Sequence, residues 1–320
     1  MANIFILLWA VLPPLLLLLF YYRRTPAAPS LLRLFIFFIV GAVSGFVALG
    51  LEWFVHWQEI QRFFLGAALR QLLIIAPIEE GCKFLGVFIP LFFLQRIYNL
   101  RATTVFLFTI TVALGFTAEE NWIYLFHGTA LPLERIIGTP VHAMFSVPWG
   151  YALGIYIASS RRLHKDRNLI FISWLNSVCS HALVNTLSSA WGFPRPIHFL
   201  GYGLFPFLLW MFWRLEQFLR RLKGKRHLIL ISGNTTLDRY WQRGLILLSL
   251  ILGGNAILGL LILVRKVSPL RMEYWFKPDI FWFIIGQILL NLCLGILAWL
   301  IYRYLRYLAI RRSFFRLAKY

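Results

Sequence analysis

Four groups of polar residues interrupt the hydrophobic stretches of this chain, and their side chains are of the kinds that carry out hydrolysis. Carboxylates and imidazoles act as general acids, general bases or metal ligands, and an amide can donate to a developing oxyanion. Burying one ionisable group in a bilayer costs at least ~2.5 kcal/mol, so we expect these groups to have a function. They are Glu79 to Lys83, Phe116 to Asn121, His142, and His181 with Asn185.

Adjacent carboxylates occur in two of these groups. Glu79 and Glu80 project about 100° apart on a helix, so the two cannot have the same role. Lys83 can reach either one, being four and three residues away, but one ammonium neutralises only one carboxylate. The other is then a candidate general base, while the alternative is a buried ion pair that only fixes helix register. In the second group we assign Glu120 to the site and expect Glu119 to be its solvated or backbone-capping neighbour.

An imidazole and an amide share one helix face in the last group. His181 and Asn185 are four residues apart, which brings both side chains to the same side of a helix. Such a pair can donate to one substrate oxygen, as an oxyanion hole requires. A hydrogen-bonding pair between two helices would use the same spacing, and that alternative stays open.

The lone histidine begins a stripe of small residues. His142 is followed at four-residue intervals by Ser146, Gly150 and Gly154. Glycines at this spacing are typical of helices that pack closely. On its own, a histidine near a membrane interface is more often structural than functional, and His142 joins the site because of the other three groups.

The elements that must position these groups are membrane helices. Hydrophobic residues make up 60% of the 320 residues and charged residues 14%, and the mean hydropathy is +0.73. This composition predicts an all-α, polytopic transmembrane bundle. Apolar runs of about 20 residues predict nine spans. They cover residues 4–22, 31–51, 72–95, 103–126, 139–160, 168–191, 197–213, 244–264 and 280–302.

The orientation follows from the basic residues. The first apolar run has no basic residue ahead of it and is followed by Arg23 and Arg24, which indicates a retained span with its N-terminus outside. Nine spans then place the C-terminus in the cytoplasm, and most of the 32 Lys and Arg residues fall on the cytoplasmic side, as the positive-inside rule requires. In this layout the four polar groups lie at one depth, in the outer half of the bilayer.

The sequence predicts four regions. Residues 1–62 form N-terminal spans, 63–213 a catalytic membrane core, 214–243 a basic cytoplasmic connector, and 244–320 accessory spans with a basic tail. The formal net charge of +20 lies mostly at span ends, which predicts anionic lipids of the cytoplasmic leaflet as partners and excludes nucleic acid. The three cysteines show no paired or metal-type spacing and are interpreted as packing residues.

Taken in order, the four groups resemble the motifs of the PrsW family of intramembrane proteases, which is related to the CAAX-protease and bacteriocin-processing membrane proteins. Residues 79–83 resemble EExxK and residues 116–121 resemble FxxxEN, with Phe116 and Asn121 as supporting residues. His142 resembles the histidine of the third motif, and residues 181–185 resemble HxxxN. Where the family often has a tryptophan before the asparagine, this chain has Val184. The resemblance covers roughly residues 72–190.

What the resemblance implies is cleavage of single-span membrane proteins, such as anti-sigma factors, on the extracytoplasmic side of a bacterial plasma membrane. It assigns water activation to Glu79, pairing with Lys83 to Glu80, and oxyanion stabilisation to His181 with Asn185. The remaining two site residues, which would orient water or substrate, are Glu120 and His142.

Metal dependence stays open at the level of sequence. No HExxH is present, and we expect a metal-free, glutamate-based reaction without a cofactor. If the enzyme uses zinc, the ligands would come from Glu79, Glu120, His142 and His181. The chief alternative function is a proton- or ion-coupled transporter that uses the same buried acids and histidines, and a non-catalytic membrane scaffold is a third.

Overall fold

The computed structural model describes residues 2–55, 63–159, 166–225, 229–233, 235–270 and 272–317, and the regular structure within these ranges is helical. The all-α class is therefore confirmed. The α-helices are α1 (Ala2–Arg24), α2 (Leu31–Phe54), α3 (Phe64–Arg70), α4 (Ala76–Ile97), α5 (Ala102–Phe126), α6 (Pro132–Ala158), α7 (Arg167–Ser189), α8 (Leu204–Leu222), α9 (Thr236–Val267), α10 (Met272–Trp275) and α11 (Pro278–Leu317). A π-helical turn, Gln71–Ile75, joins α3 to α4, and 3₁₀ segments cover Ala190–Gly192 and Ile197–Gly203.

Six of the described helices are long and apolar enough to cross a membrane. These candidate spans are Ile4–Arg24, Leu31–Phe54, Ala102–Phe126, Arg167–Gly192, Thr236–Val267 and Pro278–Arg311. The multi-pass class is confirmed, whereas the count of nine spans and the sides of the two termini stay predictions. Helix α4 is not among these six, and it carries the charged residues Glu79, Glu80 and Lys83 within about one turn.

The predicted span 197–213 does not coincide with a single α-helix. Its first part is the 3₁₀ segment Ile197–Gly203, and α8 begins at Leu204 and continues to Leu222. Two glycines in the 3₁₀ segment, Gly201 and Gly203, lower its α-helix propensity. Pro206 falls in the first turn of α8, where a missing N–H costs little.

Helix α5 is the centre of the part of the molecule that carries the polar groups. It contacts α1, α2, α4 and α6, and almost all of it is buried. The approach of α2 depends on glycines, because a Cβ on Gly115 would collide with the Phe38 carbonyl and one on Gly41 with the Val112 carbonyl. Such close backbone contact between membrane helices is what small residues permit.

The stripe on α6 packs closely against the N-terminal half of α5, as the four-residue spacing predicted. A Cβ on Gly150 would collide with the side chain of Thr109, and one on Gly154 would crowd the carbonyl of Ala102. This packing determines which face of α6 is turned toward α5. His142 lies on the same face, two turns before Gly150. The sequence of α6 thus determines both the contact and the direction of its functional side chain.

The chain divides into two compact units. One consists of Met1–Ile197 with Arg214–Lys225, and the other of His198–Trp213 with Arg226–Tyr320. All four polar groups lie in the first unit. In the second unit, α9 and α11 pack along each other, with the Asn291 side chain against Gly259 and the Ser249 hydroxyl donating to the Ala298 carbonyl at 2.9 Å. The division into four regions made from the sequence stays a prediction.

Candidate active site

Four helices of the first unit bring their polar side chains to one buried point. Helix α4 supplies Glu79, Glu80 and Lys83, α5 supplies Glu120, α6 supplies His142 and α7 supplies His181. Glu80 and Lys83 are fully buried, His181 is 1% exposed, and Glu79 and His142 are 8% and 6% exposed. The cluster therefore lies inside the helical bundle, where ion pairs are screened much less than in water.

Lys83 is the cation at the middle of this cluster. Its Nζ lies 2.9 Å from Glu80 Oε1, 3.2 Å from Glu79 Oε2 and 2.9 Å from His142 Nδ1. The ring of Phe116 covers the ammonium, with Nζ 4.1 Å from the ring centroid. The phenylalanine of the second motif thus has a physical role, which is to shield this charge from the surroundings.

Glu80 is held by donors on both of its oxygens. Oε2 accepts hydrogen bonds from Ser146 Oγ at 2.9 Å and from Trp149 Nε1 at 3.0 Å. Oε1 accepts from Lys83 and lies 3.3 Å from His181 Nδ1. A carboxylate with this many donors is stabilised in its charged form and has little capacity left for substrate.

Glu79 is less constrained than its neighbour. Among the described residues, the contact within hydrogen-bonding distance of its carboxylate is the one with Lys83. Two imidazole nitrogens, His142 Nδ1 and His181 Nε2, each lie 3.7 Å from Glu79 Oε2. The carboxylate of Glu79 therefore faces two ring nitrogens at a distance that leaves lone pairs available for a third group.

Each histidine has one ring nitrogen next to a carboxylate and the other ring nitrogen directed toward Glu79. His142 Nε2 lies 2.6 Å from Glu120 Oε2, so its Nδ1 is turned toward Lys83 and Glu79. His181 Nδ1 faces Glu80, so its Nε2 is turned toward Glu79. The ring of Phe145 stacks on His181, with centroids 4.2 Å apart and an angle of 13° between planes. These contacts fix which nitrogen of each ring points into the cluster.

The set formed by Glu79, His142 and His181 fits a divalent metal. Ligand atoms from the three residues all lie within 4.8 Å of one another, and two histidines with one carboxylate are a common zinc set. A carboxylate on the far nitrogen of each histidine is also the usual outer shell of such a site. Glu120, named from the sequence as a fourth ligand, contacts the outward nitrogen of His142. Lys83 already contacts two of the three ligand residues.

Arg135 is a residue that the sequence analysis missed. Its Nη2 donates to Glu120 Oε2 at 2.9 Å and its Nε to Asn121 Oδ1 at 2.6 Å, and its guanidinium lies over the Tyr124 ring. Asn121 in turn donates to the carbonyl of Ala10 at 3.3 Å, which connects the second motif to α1. Arg135 lies across a loop from the motif, and no spacing rule would have linked the two.

Ser146 and Trp149 are two further missed residues, and for these a signal existed. Both donate to Glu80 from α6. Ser146 is four residues and Trp149 seven residues after His142, so all three share one face of the helix. The sequence analysis places Ser146 in the stripe of small residues and assigns it no role of its own.

Asn185 lies apart from the acid and histidine cluster in its hydrogen bonding. Its Nδ2 donates to Gln71 Oε1 at 2.9 Å, and Gln71 is the first residue of the π-helical turn before α4. Single π-turns inside helices occur often at functional sites. The pair joins α7 to the segment that leads into Glu79.

The expectation for Glu119 is wrong. Its side chain is 6% exposed and packs against Gly45 of α2, and its Oε1 has no hydrogen-bond partner among the described residues. The reason is that α5 is surrounded by other helices, so consecutive residues on it are buried on different sides. A solvated neighbour of Glu120 would require a helix with one exposed face.

The comparisons with known proteins agree with these motifs. Residues 29–212 match a family described as PrsW family intramembrane metalloprotease. Protease PrsW of Shouchella clausii (strain KSM-K16) is 28% identical over 186 residues, which are 56% of this chain and 80% of that protein. Protease PrsW of Halalkalibacterium halodurans is 26% identical over 178 residues, 55% of this chain and 77% of that protein. No solved structure matches the chain. Both relatives are bacterial, consistent with a bacterial multi-pass membrane protein.

Proposed function

Because this chain belongs to the PrsW family of intramembrane proteases, we propose that it cuts single-span membrane proteins, such as anti-sigma-factor-like proteins, near the extracytoplasmic face. The observation that carries this proposal is the meeting of Glu79 with His142 and His181 from three helices at one buried point. A buried carboxylate opposite two imidazole nitrogens supplies the groups that hydrolysis of an amide needs.

Glu79 is the residue that we propose activates water. It is the carboxylate of the first motif with spare lone pairs, whereas both oxygens of Glu80 already accept hydrogen bonds. Glu79 takes a proton from water, the resulting hydroxide attacks the peptide carbonyl carbon, and the C–N bond breaks as the proton passes to the leaving amine. Glu80 holds Lys83 in place, and the ammonium of Lys83 lies within 3.2 Å of an oxygen of each acid.

The oxyanion that forms during this attack needs hydrogen-bond donors. His181 Nε2 faces Glu79 and is the ring nitrogen available to a substrate, and it donates in the form of the ring that carries a hydrogen on both nitrogens, because Nδ1 faces the carboxylate of Glu80. The family resemblance implies this role for His181. Asn185 would add an amide N–H, oriented by Gln71. Glu120 holds the ring of His142 so that His142 can orient water or substrate from the other side.

A metal bound to Glu79, His142 and His181 would supply a Lewis acid that polarises the carbonyl or the water. The donor set fits such a metal, and the family description names a metalloprotease. We nevertheless propose a glutamate-based reaction, because the ammonium of Lys83 already supplies a cation to two of the three ligand residues. Two cations that share the same lone pairs in a buried site repel each other.

Anionic lipids are the second partner class that we propose. Basic side chains end α1 and α8, at Arg23 and Arg24 and at Arg220 and Arg221. Clusters of this kind next to membrane helices favour the anionic cytoplasmic leaflet.

The test compares newly formed peptide termini in membranes that contain equal amounts of wild-type protein or Glu79→Gln. Glu134→Gln is a matched control, because it makes the same exchange in the first turn of α6, where Gln can still accept from the Leu131 N–H. We expect termini near the outer ends of single-span segments in the wild-type and Glu134→Gln samples that are absent with Glu79→Gln. Identical termini in all three samples, together with proton or cation flux that Glu79→Gln abolishes in liposomes, would favour a transporter.

A further inference from the structure

A groove in the surface of the first unit begins beside the catalytic cluster. It lies between α4 and α7, is also lined by the last turn of α6, and has a volume of about 680 Å³. Its walls are mostly aromatic and aliphatic, with Phe84, Phe88 and Phe92 on α4 facing Phe171 and Trp174 on α7. Polar groups lie at one end, where Gln95 of α4 and Arg167 of α7 also line it.

The groove exists because α4 and α7 pack together at one end only. Ala76, the first residue of α4, forms a buried cluster with Val178 and Ala182 of α7. Farther along α4, from Gly81 to Gln95, the two helices leave the groove between them. The separation leaves an apolar space between the two helices, and this space begins next to Glu80 in the chain.

One end of the groove is at the level of the catalytic acids. Gly81 lines it and directly follows Glu80 in the chain. From Gly81 to Gln95 the groove runs along 15 residues of α4, and the rise of an α-helix between the first and the last of them is about 21 Å. That length is about two-thirds of a hydrocarbon core of about 30 Å.

We propose that this groove holds the transmembrane segment of the substrate, on one side of the bond that is cut. The inference rests on the proposed function and adds the surface through which the substrate is recognised. A single-span protein whose scissile bond reaches Glu79 must place the rest of its apolar segment somewhere along the enzyme. Gly81, which follows Glu80 in the chain, lines one end of this groove, and the groove is apolar over most of its length and covers about two-thirds of one membrane crossing.

Gly81 supports a polypeptide as the occupant. A Cβ built on Gly81 meets no atom of the described protein within 4 Å, so internal packing does not require glycine there. A bare backbone next to open space lets another backbone approach closely, which membrane helices use to associate. A lipid acyl chain could fill the same volume, but it has no backbone that would use the bare backbone of Gly81 for close contact.

The first experiment fills this space with a side chain. Gly81→Leu should fold normally, because nothing in the protein collides with the new residue and Leu has a higher helix propensity than Gly. Gly286→Leu on α11 is the matched control, since Gly286 also has open space around it and lies in the other unit. The substrate is the single-span protein whose cleavage the terminus comparison identifies. We expect Gly81→Leu to cut it at least about tenfold more slowly, as misplacement at a catalytic site does, while Gly286→Leu cuts it at the wild-type rate.

The second experiment uses a photo-crosslinking phenylalanine in the Glu79→Gln background with the same substrate. Phe88, 38% exposed, is the position in the groove, and Phe281 of α11, 41% exposed, is the control. Crosslinks from position 88 to the transmembrane segment of the substrate, without equivalent crosslinks from position 281, are expected. Crosslinks from both positions to lipid alone would overturn the proposal and assign the groove to an acyl chain.

The outcomes separate the two proposals. If the terminus comparison finds no cleavage that Glu79→Gln removes, the proposed function itself is wrong. If Glu79→Gln is inactive but Gly81→Leu cuts at the wild-type rate, the function stands and the groove does not bind the substrate.

Discussion

His142 and Glu120 are joined at 2.6 Å between Nε2 and Oε2, and this contact turns the other ring nitrogen of His142 toward Lys83 and Glu79. One residue of the second motif therefore sets the direction in which the third motif acts. Glu120 is a positioning residue in this arrangement, and its effect on catalysis should depend on His142.

Glu120→Gln should lower kcat/KM for the substrate by about 100-fold, which is the lower end of what a general acid–base group contributes. An amide can donate to the histidine as well as accept, so it no longer fixes the ring in one tautomer. In the His142→Gln background the same exchange should have almost no further effect, because Glu120 then has no ring to hold. Additive losses in the double variant would show that Glu120 acts independently of His142.

Arg135→Met should destabilise the protein by about 1–3 kcal/mol, the usual cost of leaving a partly buried charged group without its partner. Arg135 contacts both Glu120 and Asn121, and its removal leaves Glu120 with His142 alone. The midpoint of thermal unfolding in detergent measures this effect. Arg195→Met is a suitable control, because Arg195 lies in the segment between α7 and α8, away from these contacts.

Glu80→Gln and Glu79→Gln should separate stability from catalysis. Removing the charge of Glu80 leaves Lys83 fully buried with Glu79 as its remaining carboxylate and weakens the bonds from Ser146 and Trp149. We expect Glu80→Gln to lower the free energy of unfolding by about 3 kcal/mol, as breaking a buried ion pair does. Glu79→Gln should unfold within about 1 kcal/mol of the wild type yet be inactive, because Glu80 still compensates Lys83. Equal loss of stability in the two variants would contradict this division of roles.

Metal dependence can be measured directly on purified protein. The glutamate-based proposal predicts that cleavage persists after prolonged treatment with a strong chelator and that added zinc does not raise the rate. The physical reason is the position of Lys83, which contacts Glu79 and His142 where a metal would need their lone pairs. Loss of cleavage on chelation, with recovery on addition of zinc, would instead assign Glu79, His142 and His181 as metal ligands.

The sequence could predict which helices meet at the site because polar residues are rare in apolar helices. Glu79, Glu80, His142 and His181 each stand out against hydrophobic neighbours, and the spacing from Lys83 to the two acids follows from helix geometry alone. The structure brings these residues together. A shared function for these residues stays a prediction, and it is supported by their meeting in the structure.

Other parts of the site depend on how helices pack, which the sequence does not show. The link from Arg135 to Glu120 crosses between α6 and α5, and arginine near a helix start has many other uses. The burial of Glu119 follows from the helices around α5, in particular from the approach of α2 at Gly45. The 3₁₀ segment Ile197–Gly203 has the composition of a span, and only its glycines indicated otherwise.

The contact between Gln71 and Asn185 provides the last prediction. Asn185 donates to Gln71 Oε1 with one hydrogen of its amide, which leaves the second hydrogen for an oxyanion. Asn185→Leu should lower kcat by about 100-fold with little change in KM, because loss of one oxyanion donor affects the transition state more than the bound substrate. Gln71→Met should also lower kcat with little change in KM, but by a smaller factor, because Asn185 remains and is only no longer oriented by Gln71. If Gln71 acts through Asn185, the double variant will be no slower than Asn185→Leu alone. A double variant slower by the product of the two single effects would mean that Gln71 contributes separately, through the π-turn that leads into Glu79.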